Sequence, residues 1–318
     1  MRASRFALAA AAFTPALAWA GVHAGSPEAR RWRPGAGERM QAGELGVRIH
    51  GTGDAVVVLL SGLASSERMW GEAYDVLGRR ACVIAIDPMG FGASMTSPAL
   101  DHPVDADAHV DAVLGVLHEL GLHEQPAIIV GHSMGASLAL RVAARHPAAR
   151  AVVAFDAPLY ATVEEADERV RHMGSFEALL AQGPLAMRVC QWMCDNRAAA
   201  QAVAVAISPR LPITVARDAV QHTWHGYTSG FDSLIRDTGW QTALHTLASR
   251  GVPVWLIDGE TDPVPVPGRA DALAREHEKL TAIQFPGGHR LPLSDPAGCA
   301  SMINHVLSVY PGRSPRTV

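Results

Sequence analysis

Short unbroken apolar runs alternate along this chain with longer stretches of helical spacing. Ala55–Leu60 is the first such run, rich in Val and Leu, and Ala81–Ile86, Ala127–Val130, Ala151–Phe155 and Val252–Ile257 repeat it. Runs of this length without alternation fit strands buried on both faces. Glu44–His50 alternates weakly and reads as one more strand, closed by a turn at Gly51-Thr52-Gly53-Asp54. Ala106–Leu120 carries Val110, Val113, Leu114 and Leu117 at helical spacing, and Ser137–His146 is rich in Ala and Leu. Asp295–Val309 opens with Asp-Pro, a cap followed by a proline at the first helical position. Buried strands alternating with helices predict an α/β fold: a doubly wound, mostly parallel sheet.

One stretch breaks this rhythm. Residues 157–245 lack a buried-strand run and read as several helices, broken near Gly174, Gly183-Pro184, Ser208-Pro209, Leu211-Pro212 and Gly226. The stretch far exceeds the roughly 15 residues of a long connecting loop, so it predicts a helical cap. The core is then 43–156 with 246–310, followed by a tail at 311–318.

The amino terminus differs from the rest. Arg2 and Arg5 precede an apolar run from Phe6 to Ala20 that ends in Ala18-Trp19-Ala20, the three-part pattern of an export signal. The run is short for a stable membrane span. We expect cleavage after Ala20 and a periplasmic or secreted protein. Residues 21–42, rich in Gly, Pro, Ala and Arg, read as a flexible lead-in. The whole chain carries a net charge of −4, which removing residues 1–20 makes −6. Neither value, nor any basic stripe, suggests a nucleic-acid partner. Export draws attention to the four cysteines. Cys190 and Cys194 are poorly spaced for a disulfide within one helix, so all four read as free thiols.

The candidate chemistry starts at Gly131-His132-Ser133-Met134-Gly135, between a predicted strand and a predicted helix. A strained turn there projects a serine oxygen past its own backbone, and the glycines let neighbouring segments close in. The helix behind it favours developing negative charge. In this context the sequence resembles the α/β-hydrolase family across nearly all of residues 44–310. The resemblance implies the order serine, acid, histidine. Asp258-Gly259-Glu260-Thr261-Asp262-Pro263 is similar to the family's acid loop and places that role on Asp262. Pro286-Gly287-Gly288-His289 is similar to its histidine loop and gives His289, 27 residues after Asp262. Asp156, at the end of the strand after the nucleophile helix, is the rival acid. The resemblance also implies an oxyanion hole from the backbone N–H groups of Met134 and Leu63. Here the chain departs from the family, with Ser61-Gly62 where His-Gly is common. That leaves the donor in place and changes how its loop is braced.

His222 and His225 in the cap lack an evident third ligand, and His118 and His123 are one residue too far apart for a zinc-protease helix. We therefore expect no metal and no cofactor. The cap aromatics, among them Tyr160, Phe176, Trp192, Trp224, Tyr227 and Trp240, suggest apolar walls and an apolar small-molecule substrate. Three functions fit this set. One is hydrolysis of an ester-like bond. Another is perhydrolase or C–C bond hydrolase chemistry with the same triad. The last is ligand binding without turnover.

Overall fold

The computed structural model describes residues 18–95, 104–172 and 184–310. Most of the expected export signal, the 311–318 tail and Phe176 lie outside the described residues. A seven-stranded sheet runs in the order β1 (Glu38–Ala42), β2 (Leu45–Leu60), β4 (Ala127–His132), β5 (Ala149–Phe155), β6 (Val254–Gly259) and β7 (Leu280–Phe285). β3 (Ala81–Ile86) pairs with β2. The pairings are parallel except that of β1 with β2 and that of the first half of β2 with β3.

Strand burial explains the unbroken apolar runs. Val56, Val58 and Leu60 point into one core with Ile84, Ile129 and Val152. Val57 and Leu59 point into the other with Val83, Ile128 and Val153. Both faces are therefore apolar, and each large side chain so buried contributes roughly 1.5–3 kcal/mol. The helices Ala106–Glu119 and Met134–Arg145 cover the first face. Pro296–Val309 covers the second, capped as expected by Asp295, whose Oδ1 accepts the Gly298 N–H at 3.0 Å.

Three expectations change. The turn at Gly51–Asp54 is absorbed into the long strand β2, with register shifts between His50 and Ala55. The parallel register with β3 belongs to the second half of β2, where Val56 faces Cys82 and Leu60 faces Ile86. In the first half the register runs the other way, from Val47 opposite Ile86 to His50 opposite Val83. The lead-in is also more ordered than its composition suggests. A helix at residues 18–25 crosses the expected cleavage point at Ala20, and the lead-in goes on with the helix Pro27–Arg31 and strand β1. Long-range bonds supply what periodicity lacks: Trp19 Nε1 donates to Val205 O at 3.0 Å and Ser26 Oγ to Arg210 O at 2.7 Å. Finally, the helix Trp240–Ser249 packs its buried Trp240, Leu244 and Leu247 into the first-face core. It crosses the expected cap boundary at 245, because the crossover from β5 to the parallel strand β6 must return over the sheet.

The start of the fold is tied down by one buried cation. Arg48 on β2 has a fully buried side chain; its Nε donates to Glu67 Oε2 at 2.7 Å and its Nη1 to Ala36 O at 2.7 Å. Its Nη2 donates to Trp70 O. Glu67 also accepts from Arg39 Nε at 2.8 Å, so one carboxylate joins β1, β2 and the segment after Ser61-Gly62. Glu67→Ala leaves the buried Arg48 guanidinium with only the more distant Asp75 carboxylate, 3.5 Å from Nη1, and is expected to cost about 3 kcal/mol of unfolding free energy. Urea titration of both proteins measures this; a loss within about 1 kcal/mol, the size of an exposed pair, contradicts it.

Candidate active site

Ser133 stands between β4 and the helix Met134–Arg145, with φ 55° and ψ −124°. Only close approach by its neighbours makes that conformation fit. A Cβ on Gly131 would overlap the Gly135 carbonyl, and one on Gly135 would come within 2.5 Å of the Leu60 and Ser61 carbonyls. The Ser133 N–H donates to Phe155 O at 2.9 Å, fixing the turn to β5. The side chain thus faces a cavity while the residue is only 7% exposed.

Two further loops converge on it. His289 Nε2 lies 3.0 Å from Ser133 Oγ, and His289 Nδ1 lies 2.9 Å from Asp262 Oδ2. The Asp262 side chain is fully buried, and its Oδ1 accepts the Val264 N–H at 2.8 Å. The acid and histidine loops lock together: the Thr261 N–H and Oγ1 both donate to Gly287 O at 2.8 Å.

Asp156 is also fully buried but occupies a different place. Its Oδ1 accepts the Gly259 N–H at 2.9 Å, and its own N–H donates to Ile257 O at 2.9 Å. It therefore clamps the end of β6, where the acid loop begins. It has no bond to His289; its Oδ2 lies 3.6 Å from His132 Nε2. The two carboxyls ionise in opposite senses. Burial drives Asp156 above the usual carboxylate range, and the pull of His132 does not cancel it. Burial also acts on Asp262, but the hydrogen bond and charge of His289, with the Val264 N–H, hold it below that range. A nearby third carboxyl, Asp258, is raised to about 7 by burial and by the charges of Asp156 and Asp262. Environments that push neighbouring acids apart in this way mark which one keeps its charge.

The loop after β2 brings the remaining expected residues. A Cβ on Gly62 would lie 3.1 Å from Ser133 Cβ, so the peptide leading to Leu63 runs directly beside the serine. Met134 is the first residue of its helix, where N–H groups lack intrahelical acceptors. Both N–H groups are thus in the neighbourhood where charge would develop on a carbonyl attacked by Ser133. Ser61 is fully buried, and its Oγ finds no hydrogen-bond partner among the described residues. Bracing comes from further along the loop. Ser66 Oγ donates to Asp218 Oδ2 at 2.6 Å, and the Glu67 N–H donates to Asp87 Oδ1 at 2.6 Å.

Two polar groups escaped the sequence reading. His132, beside the serine, donates from Nε2 to the His289 carbonyl at 2.6 Å and so steadies that loop. Its position inside the Gly-x-Ser motif was the available signal. Arg290 lines the cavity, and Glu28 from the lead-in lies 3.4 Å from its Nη2. No sequence spacing links these two. Their pairing places a carboxylate of the chain itself against the cation at the cavity wall. His132, Asp156 and His289 could offer ligand atoms within 4.8 Å of one another. A metal there would have to break the His289 bonds to Ser133 or Asp262. His222 and His225 do not come together as ligands: His222 is buried between Phe91 and Tyr227, and His225 is exposed.

The cavity over Ser133 has a volume of 150 Å³, with Leu63, Leu211, Val215 and Leu293 in its walls. No helix among the described residues is long and apolar enough to cross a membrane.

Comparison with known proteins places the fold. A protein of Mycobacterium phage D29, assigned by its name to the non-heme haloperoxidases, is 30% identical over 273 residues, covering 85% of this chain and 93% of its own. Among solved structures, E-2-(acetamidomethylene)succinate hydrolase superposes with a TM-score of 0.63 at 19% identity, over 85% of this chain and 99% of its own. A mutant N-acyl homoserine lactonase complexed with N-hexanoyl homoserine gives 0.63 at 20%, over 86% and 96%. The pattern of the alpha/beta hydrolase family matches residues 57–302, from within β2 to the last helix. With that match and the phage relative spanning most of the chain, this protein belongs to the alpha/beta hydrolase family.

Proposed function

We propose that this chain is a serine hydrolase that cleaves an ester-like bond in a small, apolar substrate through an acyl-enzyme. The observation that carries this reading is the continuous line from Ser133 Oγ through His289 to Asp262, at 3.0 and 2.9 Å. Free serine is a weak nucleophile; His289 takes its proton as it attacks and then returns it to the leaving group. Asp262, which keeps its charge, holds the other imidazole nitrogen and stabilises the imidazolium. The N–H groups of Leu63 and Met134 stabilise the oxyanion. The Arg290–Glu28 pair leaves the cavity without an unmatched cation, which favours an uncharged substrate.

A second reading uses the same residues. The phage relative's name favours perhydrolase chemistry, in which hydrogen peroxide replaces water as the acceptor of the acyl group. Both readings share the acyl-enzyme, and the acceptor is found by comparing turnover with and without peroxide. Export is part of the proposal, supported by Arg2, Arg5 and the apolar run that follows them.

Ser133→Ala is expected to reduce hydrolysis of p-nitrophenyl acetate by on the order of 10⁶ while leaving the thermal transition in place. A fluorophosphonate probe should label Ser133. Unchanged activity in the variant, or no labelling of the native protein, overturns the hydrolase reading and leaves ligand binding without turnover. Asp262→Asn should lower kcat by about 10⁴, since it stabilises the wrong imidazole tautomer. Asp156→Asn should cost far less, and the reverse order would move the acid to Asp156. Intact mass of the exported protein should show loss of residues 1–20; a full-length mass refutes cleavage after Ala20.

A further inference from the structure

The cavity over Ser133 is small for a substrate site. Its 150 Å³ falls below the roughly 300 Å³ at which small-molecule sites begin, so it can enclose the reacting bond and few atoms besides. A second cavity of 450 Å³ adjoins it under the cap, and Ala64 and Ala219 line both. Its walls come from the helices Pro184–Asp195 and Arg197–Ile207, closed by Val220, Trp224 and Tyr227. None of its lining residues is Asp, Glu, Lys or Arg.

The titratable groups that do line it are neutral. Burial, with the nearby Arg197 charge, lowers His222 to about 4, and burial lifts the Cys190 thiol to about 12. At the mouth stand Leu185, Trp192, Val203 and Ile207, between 46% and 65% exposed. An apolar rim around an uncharged cavity that opens onto a nucleophile suits an apolar chain rather than a polar group.

The side of the scissile bond follows from the chemistry. The leaving group must sit over His289 Nε2, which protonates it. The carbonyl oxygen is held beside Leu63, and Ala64 is the next residue. The acyl substituent is thus directed away from His289, past Ala64 and Ala219. We propose that the cap cavity is the acyl-chain site and that the substrate is an ester of a medium-length saturated fatty acid. This rests on the serine-hydrolase reading above.

The test is a series of p-nitrophenyl acetate, butyrate, hexanoate and octanoate esters with the full chain. A fully buried methylene is worth about fourfold, so kcat/KM should climb about two- to fourfold per methylene along the series. Ala204, 6% exposed on the cavity wall, is the place to fill it. Ala204→Trp should lower the octanoate-to-acetate ratio of kcat/KM at least tenfold. Because the ratio is taken within one preparation, any unfolded fraction cancels. Octanoate added to Ser133→Ala should also shift tryptophan fluorescence, through Trp192 and Trp224, and should do so less in the double variant. Acetate hydrolysis with no chain-length gain, or an unchanged ratio in Ala204→Trp, overturns the acyl site alone. No hydrolysis of any ester overturns the hydrolase reading instead. A chain-length gain that emerges only after residues 1–20 are removed supports the acyl site in the cleaved protein, the form proposed for export.

Discussion

The backbone strain at Ser133 sets the terms for the rest of the site. A serine at φ 55° carries a cost on the order of 1–3 kcal/mol, which persists only where the surroundings over-determine the conformation. Here they do. β2 and β4 run in parallel register up to Leu60 and Gly131, so both strands end at the same level. That brings the Leu60 and Ser61 carbonyls against Gly135, and Gly62 against the serine itself. The nucleophile turn and the loop carrying Leu63 are therefore wedged against each other. A side chain at Gly135 would drive them apart, and one at Gly131 would push the start of the helix off its own strand.

The same economy governs the carboxyls. Asp156 and Asp262 lie close behind the histidines, and two charged carboxylates there would repel at low effective dielectric. The fold separates them by their partners. Asp262 receives the His289 imidazole and a backbone N–H, so its charge is matched on both oxygens. Asp156 accepts a backbone N–H on one oxygen and has His132 Nε2 3.6 Å from the other, and burial outweighs both and resists its ionisation. Its contribution is mechanical. At φ 54° it turns the chain at the end of β5 and clamps Gly259, from which the Asp262 loop departs. Asp156 and Asp262 are thus parts of one device, Asp156 anchoring the loop that carries Asp262.

How much of this was legible in the sequence depends on the range of the interactions. Strands such as Ala55–Leu60 and Ala81–Ile86 were readable because burial on both faces leaves a local trace, an unbroken apolar run. The three site residues were readable because each sits on a turn with its own glycines and prolines. The preference for Asp262 over Asp156 was readable from its loop, but the contact itself, which carboxyl meets His289 in space, was not. The lead-in was misread for the same reason. Ser26 and Glu28 are held by Arg210 and Arg290, partners far along the chain that leave no period in the local sequence. The bracing of the oxyanion loop without a histidine likewise depends on Asp87 and Asp218, which no motif joins to Ser61-Gly62.

The cap shows how composition becomes a cavity. Arg197–Ile207 is rich in alanine, which favours the helix and brings little side-chain volume. Ala200 and Ala204 face Val220 and Met193 in a small cluster of their own, separate from both sheet cores. Alanines at Ala64, Ala186, Ala200, Ala204 and Ala219 line the space that larger residues would have filled. Protein interiors otherwise pack to crystal-like density, and an empty apolar space forfeits the dispersion contacts of its walls. A cavity so lined, opening at one end on the oxyanion loop and at the other on exposed Ile207 and Val203, is under-packed in the protein alone. An acyl chain entering it would restore those contacts and cover the exposed rim. The small residues that weaken the cap as a core are thus the ones that suit it to an acyl chain.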